Sequence, residues 1–372
     1  MKTRDIAKII LVLSLVLVFC FNSIPIASAS SDANLEEGSI RETINAYFQQ
    51  RYEAFASLKP ADFLPISATT NNSATEQWLR QEQDRQEIEL FIAKTFNTIY
   101  SDFHFNLDYQ SIQINGDDAV VKLSESNEVF YASNPTFPSK MANLIHTITL
   151  KYQNDKWKIV DDQYRNETIE LLETLPKDKV LNNIQINQDA QFALPALGNQ
   201  PVQPNALYTY QRASAVTYAD TWAGSINTTY NDYPNNDCTN YASQSIYEGT
   251  QHTMSDPTNY NSNWYYDFYS HGGSYPWVNV GGLYTFLTSN TGKGPYGYSS
   301  GAYTCNLSQG DVVTMKDGAG WKHTVVVVAI TGDCHVASNI LVDSHDIDRY
   351  HYALSNYSGY TWYAITISGY RN

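Results

Sequence analysis

The stretch Asn235-Asn236-Asp237-Cys238-Thr239-Asn240-Tyr241-Ala242-Ser243-Gln244 decides how the C-terminal half of this chain is read. Pro234 ends the element before it, and Asn235, Asn236 and Asp237 are residue types that cap helix starts. A helix from Cys238 to about Tyr247 follows, with Gly249 as its C-cap. The thiol of Cys238 then sits in a first turn, where unpaired N–H groups and the helix dipole favour an anion and lower a thiol pKa. The same donors can hold the oxyanion of a tetrahedral intermediate. Asp237 opposes the effect, because a neighbouring carboxylate raises a thiol pKa, and it serves better as a cap. Taken by itself, a cysteine here reads more readily as a small buried helix residue.

A second segment changes that balance. Leu307-Ser308-Gln309-Gly310-Asp311-Val312-Val313 turns a loop into a strand, and after the turn Lys316–Lys322 comes His323-Thr324-Val325-Val326-Val327-Val328-Ala329-Ile330. This apolar, β-branched run is a buried strand with His323 at its mouth. An imidazole at a strand end facing a thiol at a helix start is the pairing that makes a cysteine nucleophilic near neutral pH. The run Ile340–Asp346 pairs back as a hairpin about Gly332–His335 and brings Asp343 to His345 beside His323. By strand alternation Asp343 and His345 share a face, so either can orient the imidazole, with a slight preference for His345. Asp346 and Asp348 read as a solvated turn.

Further pieces extend the pattern: Ala215-x-x-Tyr218-Ala219, Asn227-x-x-Tyr230, Trp264-Tyr265-Tyr266, Trp277-x-x-Val280-x-x-Leu283-Tyr284-x-Phe286-Leu287, Leu307-x-x-Gly310-Asp311-Val312 and Ser344-His345-x-x-Asp348. With Asp237–Gln244 and His323 in this order, residues 206–372 resemble the bacterial putative amidase family of the papain-like superfamily, related to the NlpC/P60 and CHAP peptidoglycan hydrolases. The resemblance implies an α+β, papain-like domain whose nucleophile opens a helix packed on an antiparallel sheet. It also implies Cys238 as nucleophile, His323 as base and a polar third member on the following strand. Tyr241 stands where the family has Phe, and Glu248-Gly249-Thr250 where it has paired glycines; neither touches the chemistry. No substrate is implied. The expectation is a secreted cysteine amidase or peptidase acting on peptidoglycan peptides, without cofactor or metal. The rival classes are a non-catalytic wall-binding module and an acyl transferase or transpeptidase on the same dyad.

Before residue 200 the composition differs. Of the 29 tyrosines 22 lie at or beyond Tyr208, with five of the seven tryptophans, whereas the earlier residues are rich in Glu, Gln, Lys and Asp. The prolines of Leu194–Pro204 mark a linker, placed at 181–205, between a domain at 30–180 and the amidase domain. The first domain opens with helices over Ser39–Leu58 and Thr75–Phe96. Strands 111–114, 119–124, 129–132, 145–152 and 157–160 and a helical tail from Glu167 to Leu175 follow. By element order this is a small α+β cone resembling the NTF2-like group. His104 and His146 read as strand-face residues with no acidic partner. Tyr260, Trp264, Tyr265, Tyr266, Phe268, Tyr269, Tyr275, Trp277 and Tyr284 read equally as a sugar- or peptide-binding groove and as half-buried surface. His252, His271, His335 and His351 show no metal-ligand spacing.

The N-terminus sets the compartment. Lys2, Arg4 and Lys8, the apolar run Ile9–Phe21 and Ala27-Ser28-Ala29 form a secretory signal peptide over residues 1–29, with cleavage after Ala29. Cys20 lies inside the apolar run and is no lipid acceptor. Losing Lys2, Arg4, Lys8 and Asp5, +2 together, takes the formal charge from −15 to −17. That surface repels nucleic acid and anionic lipid and fits an extracellular, wall-associated protein, and the short apolar run with no stop-transfer pattern after it implies no stable membrane insertion once cleaved. Three cysteines remain after cleavage, an odd number. Either Cys305 and Cys334 pair and leave Cys238 free, or no disulfide forms.

Overall fold

Ile40, Ile44, Tyr47, Phe48 and Tyr52 recur at helical spacing and line the buried side of α1 (Ala27–Ser57). The computed structural model describes residues 27–69, 73–192 and 208–372; most of the signal peptide and the proline-rich stretch lie outside them. Helix α2 (Ser73–Phe96) buries Trp78 against α1, then Ile88, Ile92 and Phe96 elsewhere. Four antiparallel strands follow: β1 (Tyr100–Asn115), β2 (Asp118–Tyr131), β3 (Asn134–Gln153) and β4 (Lys156–Tyr164). They exceed the strands expected from sequence. In β1, Asp102, His104, Asn106 and Asp108 interrupt the apolar signal, while Phe103, Phe105, Leu107 and Tyr109 between them pack on the core of α1 and α2.

His146 is not a bare strand-face residue. It is fully buried, with Nδ1 3.0 Å from Asp162 Oδ1 and Nε2 3.1 Å from Glu125 Oε2. Burial alone would lower its pKa, but the two carboxylates outweigh it and raise it to about 9. An imidazolium held this way contributes stability that is complete below the unfolded-state value of about 6.5 and is lost as pH rises through about 9. Urea unfolding should therefore show a loss on the order of 3 kcal/mol across that window. The loss should vanish in His146→Gln. Superimposable pH profiles for the two proteins would refute the assignment.

Helices α3 (Glu167–Thr174) and α4 (Lys177–Ala190) come next, the first capped by the Asn166 side chain on the N–H groups of Thr168 and Ile169. Residues 181–190 are thus helix rather than linker. Val180 and Ile184, four apart, are wholly buried, a pair hidden in sequence by the polar residues around it. The C-terminal region holds α5 (Arg212–Trp222), α6 (Cys238–Gly249), the short β5 (Tyr266–Asp267) and β6 (Gly272–Gly273), α7 (Tyr275–Val278) and α8 (Val280–Ser289). Its longer strands are β7 (Gly294–Ser299), β8 (Val312–Lys316), β9 (Trp321–Ile330), β10 (Ile340–Ser344), β11 (Asp348–Ala353) and β12 (Thr361–Arg371). Cys305 and Cys334 are joined, and Cys238 is free.

The two regions share one antiparallel sheet of ten strands, in the order β1-β2-β3-β11-β10-β9-β8-β12-β7, with β4 also on β3. The seam pairs Asp348 with Ala142, Arg349 with Met141 and Tyr350 with Lys140. One face of the C-terminal strands, carrying Val312, Val326, Val328 and Ile365, packs on α5, α6 and α8. The other, carrying Val313, Val325, Val327 and Trp362, receives Ile88, Ile92 and Phe96 of α2, Leu171 of α3, and Val180 and Ile184 of α4. Each such side chain stabilises by about 2 kcal/mol on burial. Together they rival the whole stability of an ordinary domain, about 5–15 kcal/mol. The architecture is α+β, three layers deep around the C-terminal strands. No helix among the described residues is long and apolar enough to cross a membrane.

Candidate active site

Cys238 opens α6, as its sequence context predicts, and is 3% exposed. Asp237 occupies the N-cap position without capping through its side chain. Its Oδ1 accepts from Asn240 Nδ2 (2.8 Å), and its Oδ2 faces His345 Nδ1 (2.7 Å). His323 lies near the start of β9, half-buried, its ring 5.3 Å from that of Tyr357.

The β9–β10 hairpin forms, with a longer loop than expected. A short 3-10 turn at Ala337–Asn339 extends it, and Val342 pairs with Val327 and Asp343 with Val326. Counting on in this register, position 346 comes level with position 323. Asp346 sits in the turn of residues 345–347 with φ 89°, a left-handed conformation rare outside glycine. Such backbone conformations concentrate at functional sites.

Cys238, His323 and Asp346 each contribute one atom (Sγ, a ring nitrogen, a carboxylate oxygen), and the three lie within 4.8 Å of one another. Asp346 Oδ1 also accepts the N–H of Asp237 at 2.7 Å, so the carboxylate rests against the start of α6. Asp346, read from sequence as solvated, is half-buried in this cluster. The signal that could have found it was the hairpin register.

The two residues expected to orient His323 lie elsewhere. His345 Nε2–H donates to the Trp222 carbonyl at 2.7 Å while Nδ1 meets Asp237, so both ring nitrogens are engaged. Burial pushes His345 down, yet Asp237 and the carbonyl win and raise its pKa. It clamps the entry of α6 to the end of α5. Asp343 accepts the N–H of His351 at 2.6 Å and is wholly buried. His323 Nε2 is buried without a hydrogen-bond partner.

Burial disfavours the charged form of both the thiol and the imidazole. Burial first, then the Asp346 carboxylate, push the Cys238 thiol well above its usual value. The helix start does not lower it as expected, because desolvation outweighs the dipole. Burial likewise lowers His323, only partly offset by Asp346. An unprotonated imidazole is the form that accepts a proton. Arg165 donates to Asn235, near Cys238 in sequence, at 3.2 Å and pairs with Glu170 at 2.7 Å, and Glu170 pairs with Lys322, next to His323, at 2.8 Å. This polar clasp, supplied by the N-terminal region, joins the loop before Cys238 to the residue before His323.

The C-terminal segment is similar to a known family. Residues 209–368 match the family described as "Putative amidase domain". Amidase activity is what this match suggests. The matched segment contains Cys238, His323 and Asp346 and begins beyond α4. No curated protein matches the chain. Among solved structures, the Kfla4162 protein from Kribbella flavida is similar at 12% identity over 36% of this chain and 90% of that one, with a TM-score of 0.25. The intermembrane space region of the chloroplast protein ARC6 is similar at 16% identity over 34% and 92%, with a TM-score of 0.25. An NTF2-like superfamily protein from Salmonella enterica serovar Typhimurium is similar at 14% identity over 36% and 92%, again with a TM-score of 0.25. No functional conclusion rests on likenesses of this degree.

Proposed function

We propose that this protein is a secreted cysteine amidase that hydrolyses amide bonds in cell-wall peptides, with Cys238 as nucleophile, His323 as general base and Asp346 as the charged partner of the pair. The observation that carries this reading is the meeting of thiol, imidazole and carboxylate within 4.8 Å at the start of α6, inside the segment that matches an amidase family. His323 takes the Cys238 proton as the sulfur attacks the carbonyl, and Asp346 stabilises the imidazolium that forms. The first N–H groups of α6, unpaired within the helix, are the donors available to the oxyanion. Protonated His323 then delivers its proton to the leaving amine, and water releases the acyl group.

A helix-borne cysteine and a strand-borne histidine are the basis for the papain-like kinship included in this proposal. The Cys305–Cys334 disulfide and the basic, apolar, small-residue order of the N-terminus favour an oxidising, extracytoplasmic setting. Asn235, Lys322, Arg165 and Glu170 line a polar groove with Gln77 and Asp161, and an entering peptide would exchange hydrogen bonds with the clasp there. Digestion of purified peptidoglycan should liberate paired new amino and carboxyl ends, identified by mass spectrometry. A transpeptidase would instead join an added amine, and a wall-binding module would sediment with the polymer and cut nothing.

A further inference from the structure

A second cluster, apart from the Cys238 site, sits where α5 meets β10 and β11. We propose that Asp220, Asp343 and His351 form a binding site for a divalent cation, with zinc the ion their chemistry suits best. One atom of each lies within 4.8 Å of the others. Asp343 is wholly buried, and its Oδ2 has no hydrogen-bond partner. Its side chain faces Asp220, another acceptor. A wholly buried carboxylate facing a second carboxylate calls for a positive species between the two, either a proton or a metal ion.

The backbone is shaped around this point. Val342 pairs with Tyr352 and Ser344 with Arg349, so Asp343 faces a bulge formed by Tyr350 and His351, and its Oδ1 takes the N–H of His351. His351 adopts φ 53°, and its ring stacks on Tyr350 at 3.8 Å, with Nε2 3.0 Å from Asp220 Oδ1. The Asp220 side chain is 36% exposed and that of His351 13%, which leaves a way in from solvent. One imidazole nitrogen and two carboxylate oxygens match zinc, which takes three protein ligands and a water. Calcium asks for six to eight oxygens. Because the three residues come from three elements, no sequence spacing reveals them.

The test uses the full-length Cys238→Ala protein, which takes the thiol out of the competing cluster of Cys238, His323 and Asp346. Calorimetric titration with zinc chloride should show one bound equivalent and a raised thermal midpoint, with no comparable effect of calcium. Asp220→Asn and His351→Gln, each checked for unchanged far-UV circular dichroism, should each lose the equivalent and the shift. The inference is overturned if Cys238→Ala binds no stoichiometric zinc, if binding survives both substitutions, or if calcium binds in place of zinc. None of these readouts involves hydrolysis, so failure here leaves the amidase reading standing, and failure of that reading leaves this one standing.

Discussion

Replacing Cys238 by alanine should abolish the proposed amide hydrolysis, a loss of about ten-thousand-fold or more, while the thermal midpoint should move by no more than a few degrees. The size of the loss follows from the absence of any other group able to form the acyl intermediate. When a nucleophile is removed, the oxyanion donors and binding contacts retain only a small fraction of the rate. The small effect on stability follows from the weak contacts of the buried thiol, a 3.8 Å approach to Thr239 Oγ1 and hydrogen bonds with the Thr324 backbone and the Asp346 side chain. Trimming one sulfur costs about 1 kcal/mol. Released amino groups and differential scanning calorimetry measure the two quantities. A Cys238→Ala protein that still cuts would place the chemistry elsewhere.

Asp346→Asn should move two readouts in opposite directions. Asparagine keeps an oxygen for the Asp237 N–H but removes the charge that raises the Cys238 thiol. The thiol pKa falls, so iodoacetamide labels Cys238 faster at neutral pH. Hydrolysis slows by roughly a hundredfold or more, because the imidazolium formed in the transition state loses its counter-charge. A residue that only shaped the turn would change neither rate independently of folding. Unchanged hydrolysis would remove Asp346 from the mechanism, and slower labelling would contradict its effect on the thiol.

The helix that opens at Cys238 and the strand that opens near His323 were legible because each is announced locally, by cap-type residues before one and a β-branched run after the other. Asp346, the third member proposed above, was not. Asp343 and His345 looked eligible only for a hairpin turning at Gly332–His335. The 3-10 turn at Ala337–Asn339 lengthens the loop and carries Asp346 to the level of His323. The α+β class and the helix-then-strand order of the first region were equally readable. The lengths of β1 to β3 were not, since polar residues on an open sheet face mimic loop. His146 misled for a different reason: its partners Glu125 and Asp162 lie 21 and 16 residues away in sequence and meet it only through strand pairing. Helix α4 was masked by its own polar side.

The join between β3 and β11 makes the catalytic region a poor candidate for excision. Severed after α4, it would present the unpaired backbone of β11 as a raw edge, and the valines facing α2, α3 and α4 would meet water. Such a fragment would aggregate before it could cut anything. A protease nicking the proline-rich stretch would leave both pieces clasped, because their hold on each other runs through hydrogen bonds and packed side chains that the peptide link does not supply. Loss or variation of the first region should thus act on the C-terminal region as a folding defect and not as a change of address.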